Sequence, residues 1–257
     1  MKIAVVQQET LPGKVEANRQ KALHHAREAL SLKADIVLFH EELTVGYVDN
    51  LRDLAEPVDG PTTRAFQGLL EGSDARILYG LTERDEQGWY IGAPVVTAHG
   101  VDANYRKTHL WWKADGVRHE PTHYTAGDRL VTFDLLGHRC GIMICYDGDF
   151  PEVTRSYAEL GCSVLFWLNN RGSRGHEEVV NLARRNSIII ASACCNGANE
   201  RGASCRGGSN ITDADGSLLA EIWDEEGVII AHVDPTRVPS LREQNPWFTG
   251  RRQDLYV

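Results

Sequence analysis

GIMICYDGDFPE, residues 141–152, is an apolar run that stops on Cys145 and passes at once into polar and turn-forming residues. A segment of this kind reads as a buried strand, a turn, and a helix that Pro151 opens at its first position. Open α/β proteins place their sites at the carboxyl ends of such strands. A sulfur held near helical N–H groups is also favoured as thiolate. Free cysteine is equally one of the most buried residue types, so position alone leaves Cys145 open between reacting and packing.

Working outward, the same style recurs. KIAVVQ reads as a strand, and NRQKALHHAREALSLK as a helix with Ala22, Leu23, Ala26, Ala29 and Leu30 on one face. DIVLFHE is a near-continuous branched run, the mark of a strand covered on both sides. Pro61 is placed to start a helix burying Phe66, Leu69 and Leu70, after which ARILYGLTE, WYIGAPVVTAHG and VDANYRKTHL read as strands. In the second half, LVTFDLLGHRCGIMICYD reads as two strands turning at Leu136-Gly137-His138. A helix from Pro151, the strand CSVLFWLNN, a helix over about His176–Asn186 and the strand SIIIASACCN follow. Asp215-Gly216 marks a hairpin, GVIIAHVD is the last strand, and Pro235–Val257 reads as a polar, basic tail. Without a linker or a repeat, the pattern predicts one α/β domain over residues 1–257, built of sheets with helices on their outer faces.

An ionisable group at the end of an apolar strand recurs at one further place. Glu41 and Glu42 follow DIVLF, and strand alternation lets only one of them look into a given cleft. Lys107 sits among Tyr105, Leu110, Trp111 and Trp112, company that suits either a lysine snorkelling over aromatic surface or a cation held in a low-dielectric cleft. Glu120 precedes the turn-rich PTHYTAGD and by itself reads as a solvated loop carboxylate.

The net charge of -9 at 257 residues argues against a nucleic-acid or anionic-membrane partner. No apolar stretch approaches the roughly 20 residues of a membrane span, and MKIAVVQQET is no secretory leader. The six cysteines are therefore expected as reduced thiols in a cytoplasmic protein. Without a C-x-x-C pair, a metal site is not expected despite ten histidines.

Taken together these segments resemble the carbon–nitrogen hydrolase family, the nitrilase superfamily, along essentially the whole chain. Phe39-His40-Glu41 is similar to its F-P-E, Tyr105-Arg106-Lys107-Thr108-His109-Leu110 to its Y-R-K-x-H-L, and Cys145-Tyr146-Asp147 with Phe150-Pro151-Glu152 to its C-Y/W-D/E and F-P-E. Glu120 ahead of Tyr124-Thr125-Ala126-Gly127 falls on a further family glutamate, and Gly46-Tyr47 on its T-G-Y. The chain departs at His40, which stands where proline is usual. It departs again at Leu182-Ala183-Arg184-Arg185-Asn186, which lacks the Arg and Glu of R-A-x-E-N, at Asp149 in place of a common arginine, and at Leu168 in place of a proline.

The resemblance implies a four-layer α-β-β-α sandwich that dimerises through helices, with residues 235–257 packing on the partner subunit. It implies Glu41, Lys107, Glu120 and Cys145 as catalytic residues and Tyr47, Tyr146, Asn169 and Asn170 as substrate-binding ones, with no cofactor. The activity it implies is hydrolysis of a small aliphatic or ω-amide through a cysteine thioester, C-Y-D being the order more usual among amide and carbamoyl hydrolases. The alternatives are an N-carbamoyl amidohydrolase, a nitrilase, or a member that binds without turnover.

Overall fold

The computed structural model describes residues 1–112, 119–171, 176–198 and 204–255. In chain order the first half runs β1 (Lys2–Gln7), α1 (Val15–Ser31), β2 (Ile36–Leu38), α2 (Pro61–Leu69), β3 (Arg76–Leu78), β4 (Leu81–Arg84), β5 (Trp89–Thr97) and β6 (Gly100–Arg106). The second half runs β7 (Thr132–Leu135), β8 (His138–Ile144), α3 (Pro151–Glu159), β9 (Val164–Asn169), α4 (Glu177–Asn186), β10 (Ile189–Cys194), β11 (Asn196–Ala198), β12 (Ser204–Thr212), β13 (Leu218–Trp223) and β14 (Gly227–His232). Two short helices, α5 (Val238–Gln244) and α6 (Pro246–Thr249), close it.

The strands form two seven-stranded sheets among the described residues. One is ordered β14-β1-β2-β3-β5-β4 with β6 on β5, the other β11-β12-β10-β9-β8-β7 with β13 on β12. Each has a parallel centre, β1-β2-β3 in one and β8-β9-β10 in the other. Alternation within these strands sorts the core into three layers. Ile3, Val5, Ile36 and Leu38 meet Ile142, Ile144, Phe166 and Leu168 between the sheets. Ala4, Val6 and Val37 pack on Ala22, Ala26 and Phe66 of α1 and α2, while Met143, Leu165 and Trp167 pack on Val153, Tyr157 and Leu182 of α3 and α4. The architecture is the four-layer α-β-β-α sandwich.

Local chemistry explains where elements stop. The turn between β7 and β8 carries positive φ at Leu136 and Gly137, 51° and 78°, the twist that a two-residue hairpin needs. ARILYGLTE is two strands rather than one, broken at Tyr79-Gly80. A Cβ on Gly80 would lie 2.5 Å from Glu41 Cα and from the His40 carbonyl oxygen, so only glycine lets this corner touch the Glu41 backbone. The basic tail is also more ordered than its composition suggests. The Arg242 guanidinium donates to the carbonyls of Ala158, Cys162 and Ser187, and Asn245 Nδ2 donates to those of Arg184 and Arg185. The tail as far as α6 is thus tied to its own chain. Tyr256 and Val257 lie outside the described residues.

Candidate active site

Three strand ends converge at one edge of the space between the sheets. Beyond β2 the chain stays against the neighbouring strand, with Phe39 N donating to Leu78 O at 2.9 Å and Gly80 N to His40 O at 3.1 Å. That carries Glu41 inward, fully buried. Lys107 follows β6, pinned by its N–H to Ile91 O at 2.9 Å and by Gly127 N to its own carbonyl at 2.8 Å. Cys145 follows β8 in a left-handed conformation, φ 43°, at the start of the tight turn Cys145–Asp149. A non-glycine residue held there stores backbone strain of the kind found at functional sites.

The polar groups form one buried cluster. Lys107 Nζ donates to Glu41 Oε1 and to Glu120 Oε1, each at 2.8 Å. Tyr47 Oη donates to the same Glu120 oxygen at 2.7 Å, and the Trp111 backbone N–H to Glu120 Oε2 at 2.6 Å. All four Glu120 and Lys107 contacts are therefore charge-assisted, and those of Lys107 and Tyr47 are buried. Glu41 Oε2 has no conventional hydrogen-bond partner, yet the Cys145 thiol interacts with this carboxylate. The free oxygen is the one available to that sulfur.

Burial and charge set the protonation states. Burial pushes the Cys145 thiol well up, Glu41 adds to the shift, and Lys107 and Arg171 oppose it, so the resting sulfur is S–H. Burial also raises the Glu41 carboxyl, against the pull of Lys107. For Lys107 burial acts downward, but the charges of Glu120 and Glu41 outweigh it and the ammonium is held firmly. A neutral thiol beside a carboxylate of increased basicity suits proton transfer during attack rather than a standing thiolate.

The adjacent Glu42 lies outside this cluster. At φ 55° it turns away to accept from Tyr124 Oη at 2.6 Å and from the Thr82 hydroxyl, and burial pushes its pKa up to about 8. His40, at the position where proline is usual in the family, is buried, with ring Nδ1 2.7 Å from Glu41 O. Burial lowers its pKa to about 4, so a neutral ring braces the glutamate's backbone.

The turn carrying Cys145 is braced from both sides. Its carbonyl accepts from Trp167 Nε1 at 3.1 Å and Arg171 Nη1 at 2.8 Å. Gly148 lets the Trp167 ring sit where a Cβ would otherwise be. Asp147 is enclosed and does not face a substrate. Its Oδ2 accepts from Ile144 N at 2.9 Å and Tyr105 Oη at 2.8 Å, while Oδ1 accepts from Thr108 Oγ1 and His109 N, both at 2.9 Å. One carboxylate thus ties the Lys107 segment to the Cys145 turn.

Of the residues expected from sequence, Glu41, Lys107, Glu120, Cys145 and Tyr47 come together, and Tyr146 flanks them, its ring 5.0 Å from that of Trp111. The two asparagines diverge. Asn169 shares the helix-facing side of its strand with Trp167, and its Nδ2 donates to Ser192 Oγ at 3.0 Å. Asn170 Oδ1 accepts from the Cys195 thiol at 2.7 Å. Asp149 is paired with Arg171, so the idea of a cation-attracting acid finds its cation within the chain. Trp111, Trp167 and Arg171 were not singled out by sequence, because their parts are played by backbone or ring N–H groups and by partners distant in the chain. Among the described residues no group of three or more metal-ligating side chains is arranged to hold an ion.

A family model of carbon–nitrogen hydrolases matches residues 2–243. The chain belongs to the carbon–nitrogen hydrolase family. Among its relatives, an (R)-stereoselective amidase of a Pseudomonas species is 28% identical across 98% of this chain and 92% of its own. The 2-oxoglutaramate amidase of Bacillus subtilis strain 168 is 31% identical, covering 95% of each. Among solved structures, a variant of the amidase from Nesterenkonia sp. AN1 superposes with a TM-score of 0.85 at 21% identity, over 100% of this chain and 95% of that one. That protein carries the acetamide moiety of fluoroacetamide covalently added at its active-site cysteine. At such identity the likeness to this carbon–nitrogen hydrolase is one of fold.

Proposed function

We propose that this carbon–nitrogen hydrolase is an amidase that converts a small aliphatic or ω-amide to carboxylic acid and ammonia through a thioester on Cys145. The observation that carries the reading is the arrangement at Glu41: one oxygen is held by Lys107, the other has no conventional hydrogen-bond partner, and the Cys145 thiol interacts with the same carboxylate. Amide-cleaving relatives on either side of 30% identity support the substrate class.

In this mechanism Cys145 Sγ attacks the carbonyl carbon as its proton passes to Glu41 Oε2. The oxyanion forms beside Lys107 Nζ and the Tyr146 N–H, which lies in the first turn after β8 where N–H groups lack an acceptor within the turn. Donors of this kind contribute roughly 3–4 kcal/mol each to the transition state. Collapse breaks the C–N bond, and Glu41 gives its proton to the departing ammonia. Water deprotonated by Glu41 then attacks the thioester carbon, releasing the acid and restoring the thiol. Glu120 and Tyr47 hold Lys107 in place, and no organic or metal cofactor takes part.

The same reading takes the protein to be a homodimer or higher homo-oligomer of the cytoplasm. Among the described residues no helix is long and apolar enough to cross a membrane. Ammonia release from matched amides, N-carbamoyl compounds and nitriles tests the proposal. Amides should turn over best. Carbon dioxide release with the ammonia, or turnover of nitriles alone, would replace the assignment with one of its rivals. A panel yielding no product would leave a binding protein.

A further inference from the structure

β8 and β9 run parallel with Ile144 opposite Leu168, so the chain beyond each strand continues side by side and Arg171 arrives next to the Cys145 turn. Its side chain is only 8% exposed. The guanidinium pairs with Asp149 of the turn and donates to Glu178 Oε1, in the first turn of α4, at 3.3 Å. It also lies over Trp167, its Cζ 4.9 Å from the ring centroid. Anchored in this way, Arg171 Nη1 donates to the Cys145 carbonyl at 2.8 Å, and Trp167 Nε1 donates to the same oxygen at 3.1 Å. A trans peptide is planar, with its C=O and N–H pointing opposite ways, and the Cys145 carbonyl shares its unit with the Tyr146 N–H. Trp167 belongs to the layer packed on α3 and α4, whereas Cys145 packs against the core between the sheets. The carbonyl is therefore drawn toward the helices, and the N–H points back toward the space between the sheets.

We propose that Arg171 is a positioning residue of the reaction: through the Cys145 carbonyl it aims the Tyr146 N–H at the developing oxyanion and polarises it. The inference rests on the thioester reading of Cys145 given above. Two donors on one carbonyl, one of them charged, draw electron density onto its oxygen and leave the N–H of the same unit a stronger donor, because linked hydrogen bonds polarise one another. They also hold the left-handed backbone of Cys145 in place. Arg171 has a separate effect on the sulfur, since burial and Glu41 push the Cys145 thiol up and the guanidinium charge opposes them.

Cys145-Tyr146 is the only Cys-Tyr step in the sequence, so full-length protein labelled with carbonyl-13C cysteine and 15N tyrosine shows this one peptide as a single NMR correlation. In Arg171→Met its carbonyl carbon and amide nitrogen should both move upfield, with Arg171→Lys between that variant and wild type. On an amide that wild type hydrolyses, Arg171→Met should lower kcat about 10-fold with KM near wild type, less than the loss from deleting an oxyanion donor outright. Arg171→Lys should recover part of that loss, keeping the charge without the planar fork. Methyl methanethiosulfonate reacts with the thiolate but has no carbonyl to form an oxyanion, so its labelling of Cys145 should slow less than kcat. Should Arg171→Met fail to fold, Arg171→Lys carries the same comparison with smaller changes. An unmoved correlation, an unchanged kcat, or labelling slowed as much as turnover would overturn the proposal. Failure of the amidase reading would show instead as a wild type that hydrolyses no amide, which would overturn this proposal as well.

Discussion

The corners after β2 and β8 solve the same problem in opposite ways. Each ends a buried parallel strand with a non-glycine residue in the left-handed region, Glu42 at φ 55° and Cys145 at φ 43°. At the β8 corner the twisted residue is the one that faces the cluster. At the β2 corner the twist lies one residue later, so Glu41 faces inward and Glu42 is turned into a separate pocket with Thr82 and Tyr124. Strain therefore presents the sulfur directly but serves the carboxylate by disposing of its neighbour. Two adjacent, equally buried glutamates acquire different chemistry, one paired with a cation and one with neutral hydroxyls.

The largest effect should come from removing what the β8 corner presents. Cys145→Ala is expected to lower kcat on the order of 10⁴-fold or more while thermal unfolding stays near wild type, measured by ammonia release beside calorimetry. Next is the base from the β2 corner. Glu41→Gln should lose roughly 10²- to 10⁴-fold in kcat, whereas Glu42→Gln, altering the carboxyl outside the cluster, should stay within a few-fold of wild type. Equal losses in the two variants would erase the contrast.

The link between the Cys145 and Lys107 segments is tested by Asp147→Asn. An amide cannot accept from all the donors that converge there, so a loss of roughly 1–3 kcal/mol of stability is expected. A fall in kcat larger than any rise in KM would separate positioning from binding. A further prediction concerns pH. Glu42 has a folded pKa of about 8 against an ordinary 4.5, so the folded protein binds the extra proton between those values. Its contribution is full below 4.5 and is lost as pH rises through 8. Urea unfolding should show stability falling between pH 4.5 and 8 in wild type and a flatter profile in Glu42→Gln.

The difference between the corners was only partly legible in the sequence. Apolar runs ending on Glu41, Lys107 and Cys145 were visible because burial and strand period write themselves locally. The choice of Glu41 over Glu42 came from the match of Phe39-His40-Glu41 to the family motif, since the partners of Glu42 lie 40 and 82 residues away. Asp147 was visible as part of C-Y-D, but its enclosure by Tyr105, Thr108 and His109 is a tertiary fact. Asn169 entered as a site residue only through the family resemblance. Side-chain alternation, set by Trp167 packing outward, turns it to the helices instead. The break at Tyr79-Gly80 was hidden because β-branched and aromatic patterning ran straight across a glycine whose necessity comes from another strand.

Intact-mass measurement of wild type and Cys145→Ala during turnover of a slow amide tests the central claim most directly. The account predicts an acyl adduct on wild type alone, mapped to the peptide containing Cys145, that decays as acid appears. Steady hydrolysis by the alanine variant, or an adduct on any other residue, would contradict it.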